Sequence, residues 1–458
     1  MKFPQHLIEK YNVPVPRYTS YPPANFFTGD FSAEKYVDLI RKSNNDQPQN
    51  ISIYIHIPFC SKICYYCGCN TQMTRNRDLM RVYVDALKKE IGMVAALLDP
   101  QRKVSQVHWG GGTPNYLPVE WIEEIMALIG QKFTYTEKPE IAMECHPAHL
   151  DFTYIERLVK AGFNRISLGI QDFDKKVLDT VNRDDSVIPV GELVRFFRQF
   201  GHVGVNFDFI YGLPHQSPES FYRTIQQAIE FSPDRLVTFS YAHVPWVRRA
   251  QKILEKEGLA NPQEKMKMFE AAYNLLKKNG YHPIGFDHFA KADDELTIAL
   301  ANRKLHRNFQ GYCTRETTGQ VYAFGATGIT QLENSYAQNA KDVNCYIEAI
   351  NQGTFTIEKG YELNDNEKII RYVLDQIMCN QYVDFGEVTG RFSISELQLK
   401  EITGFSEEKL SDFISEGLVQ FGHNKLTVNE SGKMFIRNIA SVFDPQLTNS
   451  GKAFSKSV

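Results

Sequence analysis

The chain predicts an α/β protein: six consecutive strand–helix units around a parallel sheet, preceded by an N-terminal extension and followed by a mostly helical C-terminal region. Three observations predict it. Between residues 51 and 242, short β-rich runs alternate with longer stretches whose apolar residues recur at helical spacing. The polar residues with chemical potential fall at the C-terminal ends of those runs, where a parallel sheet places its chemistry. A length of 458 residues, 43% hydrophobic and 23% charged, allows a large core, and no apolar run reaches the roughly 18 residues a membrane span needs.

The elements follow in order. The strand runs are ISIYIHI, SQVHWGGG, EIAMEC, NRISLGIQ, VGVNFDFIYGLP and DRLVTFSYA. Between them lie the helical patterns DLMRVYVDALKKEIGMVAALL, PVEWIEEIMALIGQKF, YIERLVKAGF, VGELVRFFRQFG and PESFYRTIQQAIEF. Six βα units in a row argue for a parallel sheet, closed as a barrel or left open. Cys60 then follows strand one, GGGTP follows strand two, Glu144 ends strand three, Gln171 ends strand four and Asp208 lies late in strand five. The expected divisions are an N-terminal segment over 1–50 closing over the active site, a core over 51–242, a barrel extension and substrate-side segment over 243–360, and a mostly helical domain over 361–458. The last reads as helix, hairpin, helix. That pattern fits a winged helix, but without a basic recognition stripe a packing domain is the preferred reading.

Composition excludes several classes. A formal net charge of −3 gives no field for nucleic acid or an anionic membrane. The N-terminus lacks the apolar core of a secretory signal, so a cytoplasmic location is expected, where clustered thiols serve as metal or redox groups more often than as disulfides. Cys145, Cys313, Cys345 and Cys379 are scattered and read as buried small hydrophobes.

The other four cysteines crowd into HIPFCSKICYYCGCN, residues 56–70. Cys60, Cys64 and Cys67 form C-x₃-C-x₂-C just after a strand. A structural zinc site wants four ligands, and no second pair follows at a suitable distance. An iron–sulfur cube held by three thiolates leaves one iron open to a non-protein ligand. In GGGTP, residues without Cβ let backbone approach a ligand closely. It is no phosphate loop, because the Lys-Ser/Thr of that motif is absent.

The three-cysteine motif after strand one, with GGGTP after strand two, resembles the radical SAM superfamily. Within it, YNVPVPRYTSYP, YIHIPFCSKICYYCGCN, HWGGGTPNYL, NRISLGIQDF, DFIYGLP, YAHVP, FDHFA and HRNFQGY together resemble the oxygen-independent coproporphyrinogen III dehydrogenase family over nearly the whole chain. That resemblance implies a partial (β/α)6 radical SAM barrel and one [4Fe-4S] cluster bound by Cys60, Cys64, Cys67 and S-adenosylmethionine (SAM). The reaction it implies is oxidative decarboxylation of two propionates of coproporphyrinogen III to vinyl groups, giving protoporphyrinogen IX in anaerobic haem biosynthesis.

It further implies two SAM molecules. Tyr54, Gly111, Glu144 and Ile329 match the pattern for the one on the cluster. Tyr66, Gly112, Thr113, Gln171, Arg183, Asp208 and Ala242 match the pattern for the second. Cys69 corresponds to a non-ligand cysteine that serves activity on the substrate side. For the substrate's four propionates, Arg17, His306, Arg307 and Gln310 are the candidates. An electron donor and an acceptor, both unidentified, and a monomeric chain complete the expectation. His146 stands where an acidic residue is often seen in that family, and Tyr66 replaces a common Phe. A haem-binding chaperone of the same superfamily is the alternative; Cys69 and RYTSYP argue against it. A zinc interaction module fails on ligand count.

Overall fold

The computed structural model describes residues 4–314, 320–447, 452 and 454–457. Two compact units divide the chain. One is built from Thr28–Asn261 and Glu316–Tyr361, the other from Met1–Phe27, Pro262–Arg315 and Glu362–Val458. Both are discontinuous, whereas the sequence-based divisions are consecutive.

In the first unit, strands β1 (Ile51–Ile57), β2 (Lys103–Gly111), β3 (Thr134–Cys145), β4 (Arg165–Gln171), β5 (Gly204–Tyr211) and β6 (Arg235–Ser240) lie side by side, each parallel to the next. The helices between them are α1 (Arg77–Ala95), α2 (Val119–Lys132), α3 (Phe152–Lys160), α4 (Lys175–Thr180), α5 (Val190–Arg198) and α6 (Pro218–Glu230). This is the expected succession of six parallel strands with intervening helices, except that two helices, α4 and α5, lie between β4 and β5, where the sequence showed one. Local chemistry sets the helix starts. Asn76 Oδ1 accepts the Leu79 N–H at 3.0 Å ahead of α1, and Ser217 and Ser220 form a reciprocal capping box ahead of α6. On α2, Ile122, Ile125 and Ile129 recur at helical spacing and are fully buried, each contributing about 2 kcal/mol of apolar transfer.

Strand alternation decides what faces inward. In β4, Ile166, Leu168 and Ile170 are buried while Arg165, Ser167 and Gln171 stay partly open; in β5, Val205, Phe207 and Phe209 alternate with Asn206 and Asp208. One polar layer is fully cross-linked. Glu140 accepts from Gln106 Nε2 at 2.9 Å and from Arg165 Nε at 2.6 Å, Arg235 stands 3.6 Å away, and Arg165 Nη1 donates to Asn206 Oδ1 at 3.1 Å.

The sheet continues past β1 in a direction the sequence did not disclose. β7 (Gln320–Phe324) pairs parallel with β1, β8 (Ile329–Gln331) pairs antiparallel with β7 and β9 (Ser335–Asn339) with β8, and β10 (Ile357–Glu362) lies beyond β9. These strands are short and interrupted by Gly325 and Gly328, so they carry no helix-alternating signal. A buried carboxylate ties them to the barrel. Glu90 on α1 accepts the Gly325 N–H at 2.8 Å, Asn339 Nδ2 at 2.7 Å and the Tyr346 hydroxyl at 2.6 Å, and burial raises its pKa to about 7.

The second unit carries helix α7 (Asp365–Asn380), the hairpin Leu305–Arg307 with Tyr312–Thr314, a second hairpin His282–Ile284 with His288–Ala290, and a three-stranded sheet of Tyr382–Asp384, Lys425–Val428 and Val419–Gly422. Asn380 fixes the first hairpin to α7 by bonding both the N–H and the carbonyl of Leu305, at 3.1 and 3.2 Å. The RYTSYP segment is tied down within the same unit. Tyr18 and Tyr21 donate to Asp444, and Arg437 donates to the carbonyls of Val15, Pro16, Ser455 and Lys456. Cys145, Cys313 and Cys379 are buried as expected, but Cys345 is exposed. It sits in the first turn of the helix Val343–Asn351, where its N–H is taken by the Asp342 cap.

Candidate active site

Backbone and side-chain bonds hold the cysteine loop from two sides. Cys60 ends a short strand, Phe59–Cys60, that pairs parallel with Gln72–Met73. The turn after α4 takes one side of the loop. Tyr65 N–H donates to the Val181 carbonyl at 2.9 Å, Asn182 Nδ2 donates to the Ile63 carbonyl at 2.8 Å, and Lys62 pairs with Asp184 at 2.7 Å. Gln251, only 1% exposed, takes the other side. Its Nε2 donates to the Tyr66 and Ala242 carbonyls at 2.9 and 3.2 Å, and its Oε1 accepts the Val244 N–H at 2.6 Å. Arg248 Nε adds a bond to the Gly68 carbonyl at 3.2 Å.

Two of the three motif sulfurs have a side-chain partner from elsewhere in the unit. Thr113 Oγ1 lies 3.3 Å from Cys60 Sγ, and Arg183 Nη1 donates to Cys64 Sγ at 3.6 Å and to the Tyr66 hydroxyl at 3.1 Å. The third, Cys67, is engaged by Cys69: that hydrogen bond holds the Cys67 thiol below its ordinary range, with the charges of Arg248 and Arg183 helping, and raises Cys69 in return. Burial pushes Cys60 up to about 11. Among the described residues no group of three or more His, Cys, Asp or Glu side chains converges on one point as a single-ion site requires. A four-iron cube takes each thiolate on a different iron. Three separated, donor-supported thiols on one loop therefore fit a cube better than a single ion.

Beside the loop, strand ends supply a row of polar groups. Tyr54 on β1 is in register with His108 on β2, their rings 6.0 Å apart at 24°. His108 Nε2 lies 3.0 Å from Glu144 Oε1 on β3. Burial works against a charge on His108, but the Glu144 bond and its charge outweigh burial and raise the imidazole. His56 is buried and lowered to about 4. Its Nε2 sits 3.2 Å from the Asn70 carbonyl, which can only accept, so Nδ1 is the nitrogen that accepts the Tyr54 hydroxyl at 3.1 Å. On β4 and β5, Ser167 donates to Asp208 Oδ2 at 2.9 Å. Gln171 ends β4 with φ of 70°.

The glycine run is sterically compulsory even before a ligand is considered. A Cβ on Gly110 would lie 2.8 Å from the Glu144 carboxylate, one on Gly112 would lie 2.8 Å from the Pro58 carbonyl, and Gly111, at φ 115°, would press on the His56 ring at 2.7 Å.

Thus Tyr54, Cys60, Cys64, Tyr66, Cys67, Cys69, Gly111, Gly112, Thr113, Glu144, Gln171, Arg183, Asp208, Ala242 and Ile329 all belong to the barrel unit. Arg17, His306, Arg307 and Gln310 belong to the other unit, where Arg307 Nη1 donates to the Arg17 carbonyl at 3.2 Å. Sequence reasoning missed His56, His108, Asn182 and Gln251. The two histidines were findable: each falls on an inward position, two residues from Tyr54 and from Gln106 respectively, on a strand whose other face is apolar.

Residues 54–228 match the model of the radical SAM superfamily. The chain is 39% identical over all of its length to the oxygen-independent coproporphyrinogen III oxidase of Synechocystis, covering 98% of that protein. It is 37% identical to the protein of that name from Escherichia coli K12, over 96% of this chain and 95% of that one. A solved structure of coproporphyrinogen III oxidase from Escherichia coli, described as a radical SAM enzyme, superposes with a TM-score of 0.88 at 34% identity, covering 97% of this chain and 99% of that one.

Proposed function

This chain belongs to the oxygen-independent coproporphyrinogen III oxidase family of radical SAM enzymes, and from that membership we propose how its residues divide the work. It catalyses the oxidative decarboxylation of two propionate side chains of coproporphyrinogen III to vinyl groups, forming protoporphyrinogen IX without oxygen. The observation that carries the assignment of the site is the cysteine loop, clamped beside a row of polar strand ends.

Cys60, Cys64 and Cys67 are the cluster ligands in this reading. The cluster and SAM, when bound, supply a carbon radical able to take a hydrogen atom from a propionate. The chain's own groups bind, orient and exclude water. Thr113 and Arg183 support the Cys60 and Cys64 sulfurs with donors. Glu144, its Oε1 engaged by His108, presents Oε2 to the ammonium or ribose hydroxyls of SAM. Two carboxylates at the strand ends, Glu144 and Asp208, favour a cationic ligand. Tyr54, Gly111 and Ile329 complete the first SAM site. Tyr66, Gly112, Thr113, Gln171, Arg183, Asp208 and Ala242 serve a second SAM.

Cys69 is not a ligand in this reading. Its raised thiol keeps its proton at neutral pH and donates to Cys67, and the residue serves the substrate side. Arg17, His306, Arg307 and Gln310 bind the porphyrinogen. An electron donor and an acceptor act with the enzyme, which works as a cytoplasmic monomer. Among the described residues no helix is long and apolar enough to cross a membrane.

The test is anaerobic incubation of reconstituted protein with SAM, a reductant and coproporphyrinogen III, followed by product analysis. Protoporphyrinogen IX is expected. Binding of haem with no vinyl product would overturn the reading in favour of a carrier.

A further inference from the structure

The hairpin over residues 305–314 concentrates buried polar atoms that lack partners. Arg307 Nε and Gln310 Oε1 are both inaccessible and unbonded, although Arg307 as a whole is only 9% exposed. Leaving such a donor or acceptor unmade is costly; other buried atoms of the described residues, such as Gln331 Oε1 and Gln381 Nε2, also lack partners, but in the hairpin an unpaired donor of a buried cation and an unpaired acceptor lie three residues apart.

Charge points the same way. The Arg307 guanidinium lies between two aromatic faces, 5.0 Å from the Phe286 centroid and 5.1 Å from that of Tyr312, where little water screens it. Arg17 and Arg437 stand in electrostatic range. Burial, with the charges of Arg17 and Arg307, drives Arg437 down to about 9. Among the described residues two carboxylates lie nearby. Asp444 is taken by the hydroxyls of Tyr18 and Tyr21. Asp287 lies 2.6 Å, through Oδ1, from His288 Nδ1. Arg17 is exposed, so the charge an anion would meet is that of Arg307, whose Nε is buried and unbonded while Asp287 is taken by His288.

His288 joins the exposed Arg17 at the cluster's accessible edge. Its side chain is 16% exposed against 8% for Asp287, its ring meets Tyr312 edge-on at 5.0 Å, and its Nε2 faces Gly311, 3.8 Å from where a Cβ would stand. The Asp287 bond fixes the imidazole's orientation, as carboxylates do for histidines that bind metals or substrates.

We propose that Arg307, with Arg17 beside it and His288 held by Asp287, forms a carboxylate clamp for one propionate head group of the porphyrinogen. This rests on the assignment of coproporphyrinogen III as substrate and adds Asp287 and His288 to the residues that hold it. The ligand has both kinds of group the hairpin lacks. Its carboxylate accepts from the guanidinium and, when the His288 ring is the imidazolium, from Nε2, since Nδ1–H is already given to Asp287, and its pyrrole N–H groups are donors for an acceptor such as Gln310 Oε1.

The experiment uses full-length reconstituted enzyme and two probes: fluorescent coproporphyrin III and its tetra-amide, which keeps the ring and removes the charges. Arg307→Lys, His288→Gln and Asp287→Asn are compared with wild type for binding of each probe and for KM, kcat, iron content and SAM cleavage. The clamp requires the variants to lose roughly tenfold to a hundredfold in affinity for the acid, with a matching rise in KM, iron and SAM cleavage preserved, and little change for the amide. Equal losses for acid and amide mean a structural role and overturn the clamp, as does unchanged acid binding in His288→Gln. Wild-type enzyme that binds the acid through Arg307 yet makes no vinyl product overturns the assigned reaction and leaves the clamp standing.

Discussion

The cysteine loop of the barrel unit and the 305–314 hairpin of the other unit both bury polar side chains, and they treat them in opposite ways. In the loop, Gln251 makes three hydrogen bonds, and Thr113 and Arg183 reach sulfur. In the hairpin, Arg307 Nε and Gln310 Oε1 make none. A site that must hold an inorganic cluster in one geometry gains from having its supports bonded in advance, because misplaced thiolates cannot share one cube. On the proposed role of the hairpin, a site that admits and releases a large, flexible, fourfold-charged macrocycle gains from groups satisfied only when the ligand is there. The difference is one of preorganisation, and it can be broken experimentally.

The largest expected effect lies in the loop. Replacing Cys60, Cys64 or Cys67 with Ala should take iron from roughly four atoms per chain to near none after anaerobic reconstitution. Cys69→Ser should keep the iron while vinyl formation falls steeply, and Arg307→Lys should keep it as well. Iron lost in Cys69→Ser would make that cysteine a ligand and erase the contrast between a complete loop and an incomplete hairpin.

Next in size is the support of the loop. Gln251→Ala strands two carbonyls and one N–H, so its unfolding free energy in urea should fall by about 2–3 kcal/mol. A midpoint unchanged from wild type would mean that water replaces the amide and that the loop is less committed than its bonds imply.

Glu90 sharpens the comparison as a third buried polar knot, fully bonded but titratable. Its pKa is raised from 4.5 to about 7, so the folded chain binds more protons than the unfolded chain between those values. Its stabilising contribution is therefore complete below about 4.5 and is lost as pH rises toward about 7. Thermal or urea unfolding of wild type and Glu90→Gln should show the wild-type advantage shrinking by about 1–3 kcal/mol between about pH 5 and about pH 8. A constant gap would place the Glu90 titration elsewhere.

The smallest effect belongs to the hairpin. Because Gln310 Oε1 has no partner to lose, Gln310→Ala should leave stability within about 0.5 kcal/mol of wild type, or raise it, while weakening porphyrin binding. A loss as large as that of Gln251→Ala would show that the hairpin's polar groups are committed after all.

How much of this was legible in the sequence follows from what each residue's role depends on. The parallel core was readable because alternation and helical spacing are local signals, and Cys60, Cys64 and Cys67 stood out as candidates because their spacing is a motif. The strands at 320–324, 329–331 and 335–339 were not, since each is short and is a strand only because a neighbour offers an edge, β1 for the first, β7 for the second and β8 for the third. Gln251 was hidden for a similar reason: a glutamine far along the chain acquires its role only when the fold brings the Tyr66 and Ala242 carbonyls to it. His288 lies in FDHFA, a stretch the sequence singled out without a role. The role depends on Asp287 and on charges at Arg17, Arg307 and Arg437, which are scattered along the chain.

The parallel pairing of β1 with β7 bears on how the chain is made. Residue 51 is registered against residue 104 on one side and residue 320 on the other, so a central strand waits for its second neighbour through more than half of synthesis. At ribosomal speeds of about 5–20 residues per second, that open edge persists for roughly 15–50 s. During that time it presents unpaired backbone groups to any passing strand. Completion of this sheet is thus a late, high-contact-order event, and the nascent chain is the form most in need of a holding chaperone.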